Sequence, residues 1–301
     1  MSGSKSMHGA SPAKVMLALA SVYLVWGSTY LGIRIGLEGY PPFLMGGLRF
    51  LAAGLLLYGF LRWRGGAAPS RAQWQNAAVL GVLMMLLGNG LVNLAETSVS
   101  SGLAAIAVAS MPLWAGVFGA LRGHHPSRGE WLGLGIGFAG VVWLNFGSQM
   151  SASVVGMIAL LMAPVSWAFG SVWSRDRNLP EPFMSTAAQM LCGGAAMILL
   201  GLLLGERIHQ VPPLRATLAV AYLAGFGSII GFSAYVWLLH NVRPALATSY
   251  AYINPPIAVL LGAMLLGEHV DAHVIGAMAV ILAGVLIITR ARARPAGSAG
   301  T

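Results

Sequence analysis

The feature that most restricts this chain is the recurrence of apolar runs about 20 residues long, the length that a hydrocarbon core demands of a helix. They fall roughly at 15–36, 42–62, 74–95, 101–121, 130–147, 154–174, 183–204, 216–239, 245–266 and 273–289. In lipid, each backbone N–H and C=O must be satisfied inside the protein, which leaves only helices or closed barrels. A barrel would alternate polar and apolar positions, and these runs do not. Only 8% of the 301 residues are charged, against about 25% in ordinary soluble domains. The expectation is an all-α polytopic membrane protein with ten transmembrane helices.

Short connections rich in Gly and Pro separate the runs, for example YPP at 40–42, RGGAAPS at 64–70 and NLPEP at 178–182. With the N-terminus placed in the cytoplasm, thirteen Lys and Arg fall on that side. Only Arg34, Arg207 and Arg215 fall on the other, together with Glu38, Glu206, Glu268 and Asp271. Positive charge marks cytoplasmic loops, so both termini are expected to be cytoplasmic. The net charge of +9 is thereby explained as a topology signal, and nucleic-acid binding is excluded. The start MSGSKSMHGASPAK is polar and weakly basic, and no cleavable signal peptide is expected. The single cysteine, Cys192, can form neither an intrachain disulfide nor a thiolate metal site, and its apolar setting reads as an inert thiol. His124 and His125 lack further ligands at metal spacing. Neither metal nor cofactor is expected.

The two halves echo each other. Trp26 and Trp167 are 141 residues apart, as are Arg34 and Arg175, and Pro41 and Pro182. An offset of 143 aligns Gly88 with Gly231, Pro112 with Pro255, Gly119 with Gly262 and Gly133 with Gly276. Five spans is an odd number, so the second copy enters from the opposite face. The expectation is two inverted five-helix repeats, residues 1–148 and 149–301, an arrangement typical of transporters.

Polar residues deep within the spans mark the candidate site. Span 1 carries Trp26, Ser28, Thr29 and Tyr30 near its midpoint, and span 6 carries Ser166, Trp167 and Ser171. Tryptophan favours the bilayer interface, so a midplane Trp needs a partner for its indole N–H. A neighbouring helix and a substrate cavity both remain open as that partner. Asn89, Asn93 and Glu96 share one face of span 3. Lining a pathway and bonding between helices are both open for the two asparagines. Glu96, near the span's end, reads as a proton site or, preferably, as a solvated acid. Span 9 places Tyr250, Tyr252 and Asn254 before Pro255-Pro256, a pair that bends or breaks a helix. Span 4 repeats the theme with Ser110, Pro112 and Trp114. Broken helices at equivalent places in two halves point to a binding site, although a purely structural kink stays open. Span 8 adds Ser228 and Tyr235, seven apart and so on one face. Arg49, within span 2, reads first as a structural hydrogen-bond or ion-pair group, and otherwise as a snorkelling or carboxylate-attracting one. Spans 5 and 10, with Gly133, Gly137, Gly140, Gly276 and Gly284, read as peripheral packing helices and as a possible dimer contact. The candidate substrate-binding set is Trp26, Thr29, Tyr30, Asn89, Asn93, Trp114, Trp167, Ser171, Ser228, Tyr235, Tyr250 and Asn254. Pro112, Pro255 and Pro256 are candidate hinges.

The stretches WGSTYLGIRIGLEGYPPFLMGGLRFLAAGLLL at 26–57 and LATSYAYINPPIAVLLGAMLLGE at 246–268 resemble the EamA-like branch of the drug/metabolite transporter superfamily. The resemblance covers about residues 14–290. Asn254-Pro255 followed by Gly267-Glu268 carries it most specifically; the first half has His124-His125 where the second has Gly267-Glu268. The resemblance implies ten helices in inverted halves, location in the bacterial inner membrane, and export of small metabolites. Some members export amino acids, including aromatic ones, so an amino acid or related metabolite is the expected substrate. The expected partners are that solute and the lipid bilayer, for a monomer or homodimer. An intramembrane enzyme is disfavoured, because no span centre holds an Asp, Glu or His. A drug or other metabolite efflux carrier of the same fold and a passive channel remain as alternatives.

Overall fold

A computed structural model of the protein describes residues 11–123, 127–146, 153–241 and 250–293. Among these residues all regular structure is helical. Seven segments are long and apolar enough to cross a membrane: Pro12–Gly36 (α1), Pro42–Trp63 (α2), Arg71–Ala95 (α3), Ser101–Leu121 (α4), Val154–Asp176 (α6), Pro182–Leu203 (α7) and Leu214–Tyr235, which continues to residue 241 as α8. Three further helices, Arg128–Phe146 (α5), Tyr250–Leu266 (α9) and Ala272–Ala293 (α10), lie where spans 5, 9 and 10 were expected.

Local chemistry sets the ends of these helices. Proline opens α1, α2 and α7, where its missing N–H would have had no partner anyway. Ser70 and Gln73 form a reciprocal capping box at the start of α3, and Ser100 and Ser153 cap α4 and α6. Gly65, Gly123, Gly205 and Gly267 terminate α2, α4, α7 and α9 with φ between 66° and 84°, a left-handed conformation that glycine adopts without steric penalty. Gly267 therefore corresponds to Gly123. This shifts the expected match with His124 by one residue; His124 and His125 themselves lie outside the described residues.

Of the two expected helix breaks, one is found and one is revised. Span 4 does break: Ser101–Val108 (α4a) ends in a turn at Ala109–Ser110, and Met111–Leu121 (α4b) restarts with Pro112 in its first turn. Span 9 does not, because α9 runs unbroken from Tyr250 to Leu266 through Pro255 and Pro256. It is held between α1 and α4a. The irregularity that does recur was not anticipated. Gly81–Gly90 in α3 and Leu223–Ile230 in α8 are π-helical, with starts 142 residues apart and ends 140 apart. Such wide turns are rare and are frequent at functional sites.

The helices associate by exchange between the halves. α1 packs on α8 and α9, and α6 correspondingly packs on α3 and α4. α2 pairs with α7, α5 with α10, and α4a with α9. Small residues allow the closest approaches. A Cβ on Gly193 would lie 2.6 Å from the Gly81 carbonyl oxygen, and one on Gly284 would lie 2.5 Å from the Gly137 nitrogen. The two equivalent tryptophans use two equivalent glycines. Trp26 rests on Gly231, and Trp167 on Gly88, where a Cβ would come 2.7 Å from its ring.

Candidate functional site

Helices from both halves enclose a cavity of about 790 Å³, counting its open mouth. The structure brings Trp26, Thr29, Tyr30, Asn89, Trp167, Tyr250 and Asn254 together on its wall, with Pro255 beside them. The indole N–H of Trp26 donates to the Gly227 carbonyl at 3.1 Å, so this residue both lines the cavity and bonds a neighbouring helix. Its ring meets Tyr250 and Phe232 edge-on, with centroids 4.8 and 5.1 Å away. Trp167 stacks on the same Phe232 ring, with centroids 6.2 Å apart. Asn89 bends back within the π segment to donate to the Met84 carbonyl. The side-chain oxygen of Asn254 is buried and has no hydrogen-bond partner among the described residues.

Five candidates lie off the wall. Asn93 is buried and donates to the Pro42 carbonyl, tying α3 to the start of α2. Trp114 packs edge-on against Phe138 of α5. Ser171 returns its hydroxyl to the Trp167 carbonyl one turn back. Ser228 is consumed by Arg49 and the Leu223 carbonyl. Tyr235 stands behind the wall, against Trp26 and Tyr250. Pro112 sits in the first turn of α4b.

Sequence reasoning missed Phe232 and Pro164 and undervalued Arg49, all three on the wall. The signal for Phe232 was available. The offset of 143 that aligns Gly88 with Gly231 also carries Asn89 onto Phe232, and carries the wall residue Met111 onto Asn254.

At one end of the bundle, two carboxylates join the halves. Glu206, after α7, accepts the Phe43 and Leu44 N–H groups at the start of α2, at 3.2 and 2.8 Å. Glu268, after α9, accepts the Ser101 N–H and hydroxyl, each at 2.8 Å, and the Gly102 N–H. A negative group is favoured at a helix N-terminus, where amide donors lack partners. At the opposite end, the residue corresponding to Glu206 is Gly66.

Glu96 departs from its preferred reading as a solvated acid. It is fully buried, and neither carboxylate oxygen has a hydrogen-bond partner among the described residues. It lies in the turn that follows α3, where Arg34 donates to the Glu96 carbonyl. Burial, reinforced by Glu268 and opposed by Arg34, lifts its carboxyl well above the usual 4.5. The folded state therefore holds this proton longer than the unfolded chain does. Stability is highest below the unfolded value and declines as pH rises through it toward the folded value. Glu96→Gln is expected to melt higher than the parent at pH 8 and nearly with it at pH 4.5, as read by scanning fluorimetry of the purified protein. A parent-like pH profile in the variant would show that Glu96 does not carry this dependence.

Comparison with known proteins agrees with this architecture. A crystal structure superposes with a TM-score of 0.67 over 95% of this chain and all of its own, at 20% identity, a likeness of fold. The uncharacterized inner membrane transporter YedA of Escherichia coli strain K12 is 46% identical over 273 residues, 90% of this chain and 89% of its own. The uncharacterized transporter YdfC of Bacillus subtilis strain 168 is 26% identical over 85% of this chain and 84% of its own. Residues 13–146 and 154–290 each match the EamA-like transporter family, once per half. With two matches that cover nearly the whole polypeptide, the chain belongs to the EamA-like transporter family.

Proposed function

We propose that the protein exports amino acids or related small metabolites across the bacterial inner membrane by alternating access. Ten spans would form two inverted repeats, residues 1–148 and 149–301, with both termini in the cytoplasm. The observation that carries the reading is the aromatic-walled cavity between the halves, built from Trp26, Trp167, Phe232 and Tyr250 with Asn89 and Asn254 at its polar positions. Flat rings tolerate variable side chains, and amide groups offer both donors and acceptors to a zwitterion. The solute would contact Trp26, Thr29, Tyr30, Asn89, Trp167, Tyr250 and Asn254, while Asn93, Trp114, Ser171, Ser228 and Tyr235 would hold that wall in place. The halves would tilt about Pro112, Pro255 and Pro256. Inner-membrane placement rests on the 46% identity to YedA. Counterflow in proteoliposomes tests the proposal: labelled amino acid should accumulate against its gradient when vesicles are preloaded with the unlabelled one. Entry without stimulation from the far side would indicate a passive pore. The absence of saturable movement across an amino-acid panel, with folded protein present, would end the exporter reading.

A further inference from the structure

We infer that Arg49 is the anchor for a carboxylate on the transported solute. The inference rests on the reading of the cavity as the solute site and names the group that the site grips.

Arg49 stands on the cavity wall with a relative exposure of 3%. Its Nε donates to the Ser228 hydroxyl at 3.0 Å, which fixes the plane of the guanidinium. Ser228 is itself held by the Leu223 carbonyl within the π segment of α8. The flank of the guanidinium lies against Gly227, where a Cβ would come 3.2 Å from Nη2. Nη1 is buried and has no hydrogen-bond partner among the described residues. Among the described residues, no acidic side chain lies within ion-pair distance of this guanidinium; the pairs found there are Arg122 with Asp176 and Arg215 with Glu38. Among the described residues, no acid lines the cavity.

A guanidinium buried without a counter-charge is costly, and in a membrane interior such a group normally faces a partner or a pathway. Arg49 lines the cavity, and its guanidinium carbon also lies 4.7 Å from the centroid of the Phe50 ring, which supplies no charge. The planar, permanently charged fork suits a carboxylate. A single cation favours a monoanion over a dianionic phosphate. Asn254, also on the wall, carries an unsatisfied atom of opposite character, its buried side-chain oxygen, which has no hydrogen-bond partner among the described residues and is an acceptor suited to an ammonium group. One free donor edge that is charged and one free acceptor that is not make carboxylate the stronger requirement.

The test is ligand-induced stabilisation of the purified full chain in detergent, since a ligand that binds the folded state must raise its melting temperature. The probes are L-leucine, 4-methylpentanoate, L-leucinamide and 3-methylbutylamine, which add or remove the carboxylate and the ammonium in turn, with inorganic phosphate as a separate arm. L-leucine and 4-methylpentanoate should raise melting by a few degrees, and the amide, the amine and phosphate should not. Arg49→Lys should weaken the carboxylate response roughly tenfold, and Arg49→Met should abolish it. Equal shifts from the amide and the amine, a shift from phosphate alone, an undiminished carboxylate response in Arg49→Met, or no shift from any probe would each overturn the inference. If Arg49→Met does not fold, the comparison of acid with amide on the parent protein and on Arg49→Lys still decides. Counterflow of labelled leucine separates the two readings. Binding without movement would sink the exporter proposal and leave the anchor intact, whereas movement of the amine as fast as the acid would sink only the anchor.

Discussion

Gly193→Val is expected to lower unfolding free energy by about 3 kcal/mol, the upper part of the range for overpacked interiors, and to leave little folded protein in the membrane. A Cβ there would fall 2.5 Å from Met85 Cβ and 2.6 Å from the Gly81 carbonyl. The second of these is backbone and cannot rotate away, so α3 and α7 must part. That separation would pull on the π segment of α3, which carries Gly88 and Asn89 to the cavity. The control is Gly59→Ala in α2. It has nothing within 4 Å of the new methyl group and should gain about 0.5–1 kcal/mol from backbone entropy. Melting in detergent of both variants beside the parent gives the answer. Equal effects of the same sign would mean that the α3–α7 approach is looser than described.

Glu268→Ala should cost roughly 2–4 kcal/mol, because hydrogen bonds to a charged group contribute about 1.5–3 kcal/mol each and orphaned partners are penalised. It removes the acceptor for the Ser101 N–H, the Ser101 hydroxyl and the Gly102 N–H together. Glu268→Gln keeps an oxygen but loses the charge, and should fall between the alanine variant and the parent. Glu38→Ala supplies the contrast, since that acid is exposed and its 3.6 Å contact with Arg215 is a surface pair worth about 0–1 kcal/mol. If the Glu268 variants melt like Glu38→Ala, the junction between α9 and α4a contributes nothing measurable.

Much of this arrangement is legible in the residues, for identifiable reasons. A span announces itself because lipid tolerates no charge along about 20 residues, and the seven apolar segments found lie where they were expected. The repeat shows through Trp26 and Trp167 because each needs a glycine seat in the other half, and Gly231 and Gly88 supply it. Other features leave little trace. The π segments at Gly81–Gly90 and Leu223–Ile230 have no residue signature comparable to proline, so the expected break was placed on Pro255 and Pro256 instead. Asn93 shares a face with Asn89, yet it turns to the Pro42 carbonyl, because helical periodicity fixes a direction but not the neighbour found there. Glu96 misled through its position near a span end. Whether such an acid meets water depends on the fold of the following turn, which local sequence does not encode. Arg49 was visible as an oddity, but that Ser228 takes its Nε while Nη1 has no hydrogen-bond partner among the described residues could be known only once α8 was in place.

The exchanged pairing of the helices carries a consequence for how the chain is made. Because α1, α2 and α5 each find close partners in α6–α10, the segment synthesised first emerges into the bilayer with its mating surfaces unmatched. Glycine grooves such as that around Gly47 stay filled by lipid until residues 182–203 arrive to displace it. Assembly must then wait for translation to finish, and two separately expressed fragments divided between α5 and α6 should recover a working protein only when they meet in the same membrane.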